Sequence, residues 1–166
     1  GDTLSVSGGS SSSTEEVSTA PSSDTSSSSG AQPTAESVSP SDVGTIAAQS
    51  GVSPSLAQAI ADQESGFNNN EVSSTGATGV MQIEPGTWSY IQSNLGGPTL
   101  APGSATDNVR GGVLLLHSLL DQTGGDPAMA AAGYYQGLAS VRAHGMYSDT
   151  QQYVNNVMAL RQRFGG

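Results

Sequence analysis

Among the acids of this chain, Glu64 has the setting that acid–base chemistry needs. It follows Ile60 by four residues and Leu56 by eight, with Ala57 and Ala61 alongside. That spacing puts it on the apolar stripe of a helix, with its carboxyl directed towards a core. Gly66, two residues on, is a natural helix stop, so Glu64 belongs to the last turn, where the helix dipole presents negative partial charge. Desolvation and the dipole both disfavour the carboxylate and raise its pKa. A carboxylic acid kept protonated near neutral pH can donate to a leaving oxygen. The competing reading is a glutamate turned out to solvent by fraying of the helix end, and position alone does not separate the two.

Ordinary glycosidases pair two carboxylates. Asp62 lies about 200° around the helix from Glu64 and cannot share its cleft. Glu71 falls in a loop, and Glu84, after a short apolar run, is the one second acid near enough in sequence to matter. The alternative for Glu84 is a surface acid at a strand end. Other chemistries lack their residues. There is no cysteine, and the two histidines, His117 and His144, have no metal-ligand spacing, so no zinc or other metal and no cofactor is expected. Neither a G-x-S-x-G elbow nor an EF-hand loop occurs.

The elements that would position Glu64 lie in the second part of the chain. Residues 1–40 are about half Ser and Thr, with Pro21, Pro33 and Pro40 and no aromatic, the composition of a disordered, acidic linker. Residues 41–166 are long enough for one domain with its own core. A short segment from Ser41 to near Gly51 carries Val43, Ile46 and Ala47 on one side. Ser53-Pro54 reads as an N-cap with proline at the first helical position, opening the helix that ends at Glu64. A Gly/Ser/Asn loop leads to Val80-Met81-Gln82-Ile83, a strand fragment. Further helices are expected over Thr87–Leu95, over Asp107–Gln122 with Val109, Val113, Leu116 and Leu120 on one stripe, after Asp126-Pro127, and over Asp149–Phe164 with Tyr153, Val157, Leu160 and Phe164 at helical spacing. The expected fold is mainly α with at most a small β-hairpin.

The whole chain has 166 residues, 14 acids and 4 arginines without lysine, a formal charge of −10. That deficit of cations excludes a nucleic-acid partner and a basic membrane-surface helix. No run of about 18 apolar residues occurs, so no membrane insertion is expected. No basic-then-apolar leader stands at the start, which for an exported protein implies a mature form or a fragment.

The residues around Glu64 carry a longer pattern: Glu64-Ser65-Gly66-Phe67-Asn68, then Ser73, then Gly76-Ala77-Thr78-Gly79-Val80-Met81-Gln82-Ile83, Pro85 and Thr87. It closely resembles the signature of the soluble lytic transglycosylase domain, a branch of the goose-type lysozyme superfamily. Ala132-Gly133-Tyr134-Tyr135-Gln136-Gly137 is similar to the family's A-A-Y-N-A-G block, and Tyr153-Val154-Asn155-Asn156-Val157 to its terminal Y-V-x-x-V helix. The resemblance spans essentially all of 41–166. It implies a lysozyme-like fold and a lyase acting on peptidoglycan glycan strands, secreted or wall-associated and monomeric. Glu64 would be the sole catalytic acid and then base, with Ser73 beside it. Met81 and Gln82 would line the glycan groove, Tyr134 would flank the glutamate, and Tyr153 would close the site from the last helix. Tyr135 and Gln136 replace the asparagine and small residue of the family block, and both suit sugar stacking or hydrogen bonding. Glu84 replaces an aliphatic or methionine. A hydrolytic muramidase or chitinase on the same fold, and a non-catalytic glycan-binding module, remain the alternatives.

Overall fold

The computed structural model describes Thr34 and residues 37–166. The expected disordered segment therefore lies outside the described residues, apart from Thr34 and its last four positions. Among the described residues the chain forms seven helices: α1 (Pro40–Gln49), α2 (Pro54–Ser65), α3 (Pro85–Asn94), α4 (Ala105–Gln122), α5 (Pro127–Gln136), α6 (Leu138–His144) and α7 (Ser148–Arg163). Among the described residues no helix is long and apolar enough to cross a membrane.

Local chemistry sets the ends. Ser39 and Asp42 form a reciprocal capping box at α1, each side chain accepting from the other's backbone N–H at 3.0 Å. Ser53 caps α2, and Gly66 ends it in the left-handed conformation, φ 65°, donating to the Asp62 carbonyl. Asp126 Oδ1 accepts from the amides of Ala128 and Met129 at the start of α5. The seven-residue α6 was not expected. Gly137, at φ 91°, breaks α5 from it, and a piece that short leaves little periodicity to read.

Helix α2 packs between α1 and α7, α5 packs on α4 and α7, and α3 rests on α4. Leu56, Ala57, Ile60 and Ala61 of α2 are fully buried, as are Val109, Val113 and Leu116 of α4 and Val157 of α7. Leu120, Leu160 and Phe164 are only partly buried at the edge of that core. The chain ahead of α1 also touches the domain: Val38 is buried, Ser37 pairs with Asn68, and Thr34 donates its amide to the Gly103 carbonyl.

The expected strand fragment differs from what forms. Among the described residues only isolated bridges occur here, Val72 with Thr78 and Thr78 with Ile83. Gly76, Gly79 and Gln82 all take positive φ, which turns the backbone too often for a ladder to propagate. The result is a tight loop that three helices hold by its main chain. From α4, Asn108 Oδ1 accepts from the Met81 amide at 2.7 Å and its Nδ2 donates to the Thr78 carbonyl at 3.0 Å. The Tyr134 hydroxyl of α5 donates to the Met81 carbonyl at 2.7 Å. The Ser65 hydroxyl of α2 donates to the Val80 carbonyl at 2.7 Å. Gly79 permits this closeness, since a β-carbon there would collide with the amide of Asn108 and with Asn69.

Candidate active site

Glu64 stands at the C-terminal end of α2, partly buried, with its carboxyl against α7. Its Oε2 accepts a 2.8 Å hydrogen bond from the Tyr153 hydroxyl of α7, 89 residues away. Burial pushes its pKa up to about 8 from the ordinary 4.5; Tyr153 works against that rise and the nearby charge of Glu84 adds to it. The carboxyl is therefore protonated at neutral pH. The phenols of Tyr134 and Tyr153 are pushed well above their usual range, chiefly by burial and then by the charge of Glu64, so both stay protonated and donate.

The tyrosines form a wall. The Tyr153 ring stacks on Tyr135 at 4.5 Å between centroids, 28° from parallel, and the Tyr135 hydroxyl donates to Asp149 Oδ2 at 2.9 Å. Helix α7 thus places Asp149 and Tyr153, one turn apart, to fix two stacked rings, of which Tyr153 bonds Glu64. The pinned loop carries Ser73 and Thr75, with Glu84 at its end. Ser73 Oγ accepts from the amides of Thr75 (3.2 Å) and Ala77 (3.0 Å) and lies 3.0 Å from Thr75 Oγ1. Thr75 Oγ1 donates to Glu84 Oε2 at 2.6 Å. Burial raises the Glu84 pKa, and the Thr75 bond opposes that rise. Next to these residues, Gly76, Pro85, Trp88 and Pro102 border an apolar cavity of about 280 Å³ whose lining holds no titratable group.

Several residues expected to meet a glycan face inward. The Met81 side chain is fully buried, and packs so closely on α4 that a β-carbon at Gly112 would lie 2.6 Å from its terminal methyl. Gln136 is buried with its amide fully engaged. Its Nε2 donates to Ser140 Oγ (2.9 Å) and the Gly145 carbonyl (3.0 Å), and its Oε1 accepts from Thr150 Oγ1 (2.6 Å) and the Tyr147 amide (3.1 Å). It ties α5 to α6 and α7. Gln82 holds a left-handed φ of 51°, uncommon for a residue with a side chain, and its Nε2 donates to the carbonyls of Glu71 and Gly79, both at 3.0 Å. Tyr134, Tyr135 and Tyr153 do gather with Glu64, and Ser73 joins Glu84 through Thr75. Sequence reasoning gave no site role to Asn108, Thr75 and Asp149, which stand among other polar residues and carry no spacing signal that would single them out.

A transglycosylase SLT domain matches residues 43–157. The chain belongs to this family. It is 33% identical over 128 residues to the soluble lytic murein transglycosylase of Salmonella typhimurium, covering 65% of this chain and 20% of that one. It is 33% identical over 125 residues to the Escherichia coli K12 enzyme of the same name, covering 63% and 19%. The chain thus spans about a fifth of those relatives' length. Among solved structures, the fold matches an inactive mutant of the lytic transglycosylase Slt of Pseudomonas aeruginosa, with a TM-score of 0.67 and 27% identity over 75% of this chain and 23% of that one. It also matches the 70-kDa soluble lytic transglycosylase in complex with bulgecin A, with a TM-score of 0.63 and 30% identity over 76% and 24%. These matches make the fold that of the lytic transglycosylase domain, mainly α and lysozyme-like.

Proposed function

We propose that residues 41–166, with residues 37–40 packed ahead of them, are the catalytic domain of a peptidoglycan lytic transglycosylase, and that the Ser/Thr-rich segment before them is its linker. The Glu64 carboxyl carries this reading, because desolvation holds it protonated at neutral pH while Tyr153 fixes its orientation in an SLT-family cleft. Protonated Glu64 gives its proton to the glycosidic oxygen between N-acetylmuramic acid and N-acetylglucosamine as the C1–O bond breaks. The carboxylate so formed is steadied by the Tyr153 hydroxyl. It then takes the proton of the muramoyl C6 hydroxyl as that oxygen closes on C1, giving a 1,6-anhydro ring and consuming no water. An intramolecular nucleophile has an effective concentration that solvent cannot match unless a water is specifically held. The domain acts as a monomer without a cofactor, outside the cytoplasmic membrane, and the Ser/Thr-rich segment gives it reach.

Mass spectrometry of purified peptidoglycan after digestion tests the reading. Muropeptides ending in 1,6-anhydro-muramic acid are expected. Absence of any cleavage product from peptidoglycan would overturn it, as would preferential cleavage of chitin.

A further inference from the structure

Asn69, on the loop after α2, is only 1% exposed, and its amide ties together three segments far apart in sequence. Its Nδ2 donates to the carbonyls of Thr34 and Gly103, both at 3.1 Å, and lies 3.3 Å from Thr34 Oγ1. The Gly103 carbonyl also accepts from the Thr34 amide at 3.0 Å, so Thr34 is held by its N–H and its C=O alike. Three acceptors around one end of the Asn69 side chain identify that end as the NH2. Its Oδ1 therefore faces the pinned loop, where a β-carbon on Gly79 would stand 2.9 Å from it.

Gly79 is a turning point of that loop. A β-carbon there would meet Asn69 and Asn108 together, so the turn rests on both side chains. Its amide donates to the Glu71 carbonyl at 3.0 Å, and Gln82 Nε2 donates to the carbonyls of Glu71 and Gly79. A second line of contacts runs to the acid. Ser37 pairs with Asn68, the Asn68 amide donates to Ser65 Oγ at 3.1 Å, and that hydroxyl donates to the Val80 carbonyl at 2.7 Å. Ser65 directly follows Glu64 in the last turn of α2. Val38 is buried in the core and Ser39 forms the capping box of α1, which anchors the segment at its other end. Each link is a direct contact, and a contiguous network of this kind can carry a positional bias between its ends.

We propose that Thr34 and residues 37–39 form a strap that sets the working geometry of the site, with Asn69 as its positioning residue. The strap holds Asn69, Asn69 seats the turn at Gly79 from which Gln82 hangs, and Asn68 with Ser65 steadies the turn of helix that carries Glu64. These groups act through the loop and the acid rather than on the sugar. The inference rests on Glu64 being the acid of the cleavage reaction. The end of the Ser/Thr-rich segment is then a working part of the enzyme as well as a tether.

The test compares the full chain with Asn69→Leu, which keeps similar bulk and removes the amide, and with Thr34→Pro, which removes the donor to Gly103 and leaves every helix untouched. Urea unfolding first establishes conditions under which each protein is folded. Cleavage of solubilised peptidoglycan strands then gives kcat and KM, and amide hydrogen exchange is followed residue by residue. Both variants are expected to lower kcat by more than about threefold, Asn69→Leu by the larger factor, because a shift of about 1 Å at reacting groups is enough for such a loss. KM is expected to change by less than kcat. Exchange should accelerate at the Gly79 and Gln82 amides but not at Val113 or Leu116 of α4. Thr34→Pro supplies the comparison by itself should Asn69→Leu fail to fold. A smaller loss of kcat in a folded variant, a change that falls mainly on KM, or exchange that speeds equally across the domain overturns the proposal and leaves the transglycosylase reading intact. A wild-type chain that cleaves nothing overturns that reading instead, and the exchange at Gly79 and Gln82 then decides whether the strap holds the loop.

Discussion

Replacing Glu64 with glutamine should make the protein more stable at neutral pH, the reverse of what loss of a hydrogen-bonded carboxyl usually does. In the folded state the Glu64 pKa is raised to about 8, whereas the unfolded chain titrates near 4.5. The folded state therefore binds the proton more tightly, and that contribution to stability is fully present below about pH 4.5. It is lost as pH climbs towards 8, by about 1.4 kcal/mol per pH unit, which is on the order of 3 kcal/mol at pH 7. Glutamine is neutral at every pH and can still accept from Tyr153, so Glu64→Gln escapes this loss. Partial exposure of the residue lets solvent screen the carboxylate, so the measured gain should fall somewhat below that ceiling. Urea unfolding of both proteins at pH 4, 5, 6, 7 and 8 gives the difference directly. The expected curve is near zero at pH 4 and rises through pH 8 in favour of the variant. A difference independent of pH, or a variant less stable at pH 8, would refute the assignment of a desolvated carboxyl.

Two further outcomes follow from named contacts. The Tyr153 hydroxyl stabilises the charged form of Glu64, so Tyr153→Phe, which keeps the ring on Tyr135, should move the alkaline limb of the activity profile to higher pH and lower the maximal rate; the pH dependence of glycan-cleavage rate checks this. Asn108→Ala strands the buried Met81 amide and leaves the Thr78 carbonyl with the Ile83 amide alone, and should cost about 1–3 kcal/mol in urea unfolding, together with most activity, because the loop carrying Ser73 and Glu84 loses its anchor on α4.

What could be read in the sequence was what local chemistry determines. The α2 stripe, its Ser53-Pro54 start and its Gly66 stop lie within fourteen residues, and they set Glu64 on the apolar stripe, while the inward turn of its carboxyl needed the fold. The helices around it were legible for the same reason: Asp126-Pro127 opens α5 as read, while α3, α4 and α7 start one or two residues earlier than expected, at Pro85, Ala105 and Ser148. The partners of Glu64 were not derivable from spacing. Tyr153 reaches it across 89 residues, and the family resemblance alone suggested the meeting. Residue type also misleads where packing decides direction. Met81 and Gln136 look suited to a sugar, yet one fills the space beside Gly112 and the other spends its whole amide joining three helices. The run from Val80 to Ile83 reads as a strand fragment by composition, because the contacts that hold it as a loop with positive φ at Gly79 and Gln82 come from Asn108, Tyr134 and Ser65 elsewhere in the chain.

The proton on Glu64 can be observed directly. With ¹³C-labelled glutamate, the side-chain carboxyl signal missing from Glu64→Gln identifies the residue, and its shift can be followed from pH 3 to pH 10. A midpoint near 8 is expected. A midpoint between 4 and 5, the range of a solvated carboxylate, would contradict the account, since no proton would then be available to the leaving oxygen at neutral pH.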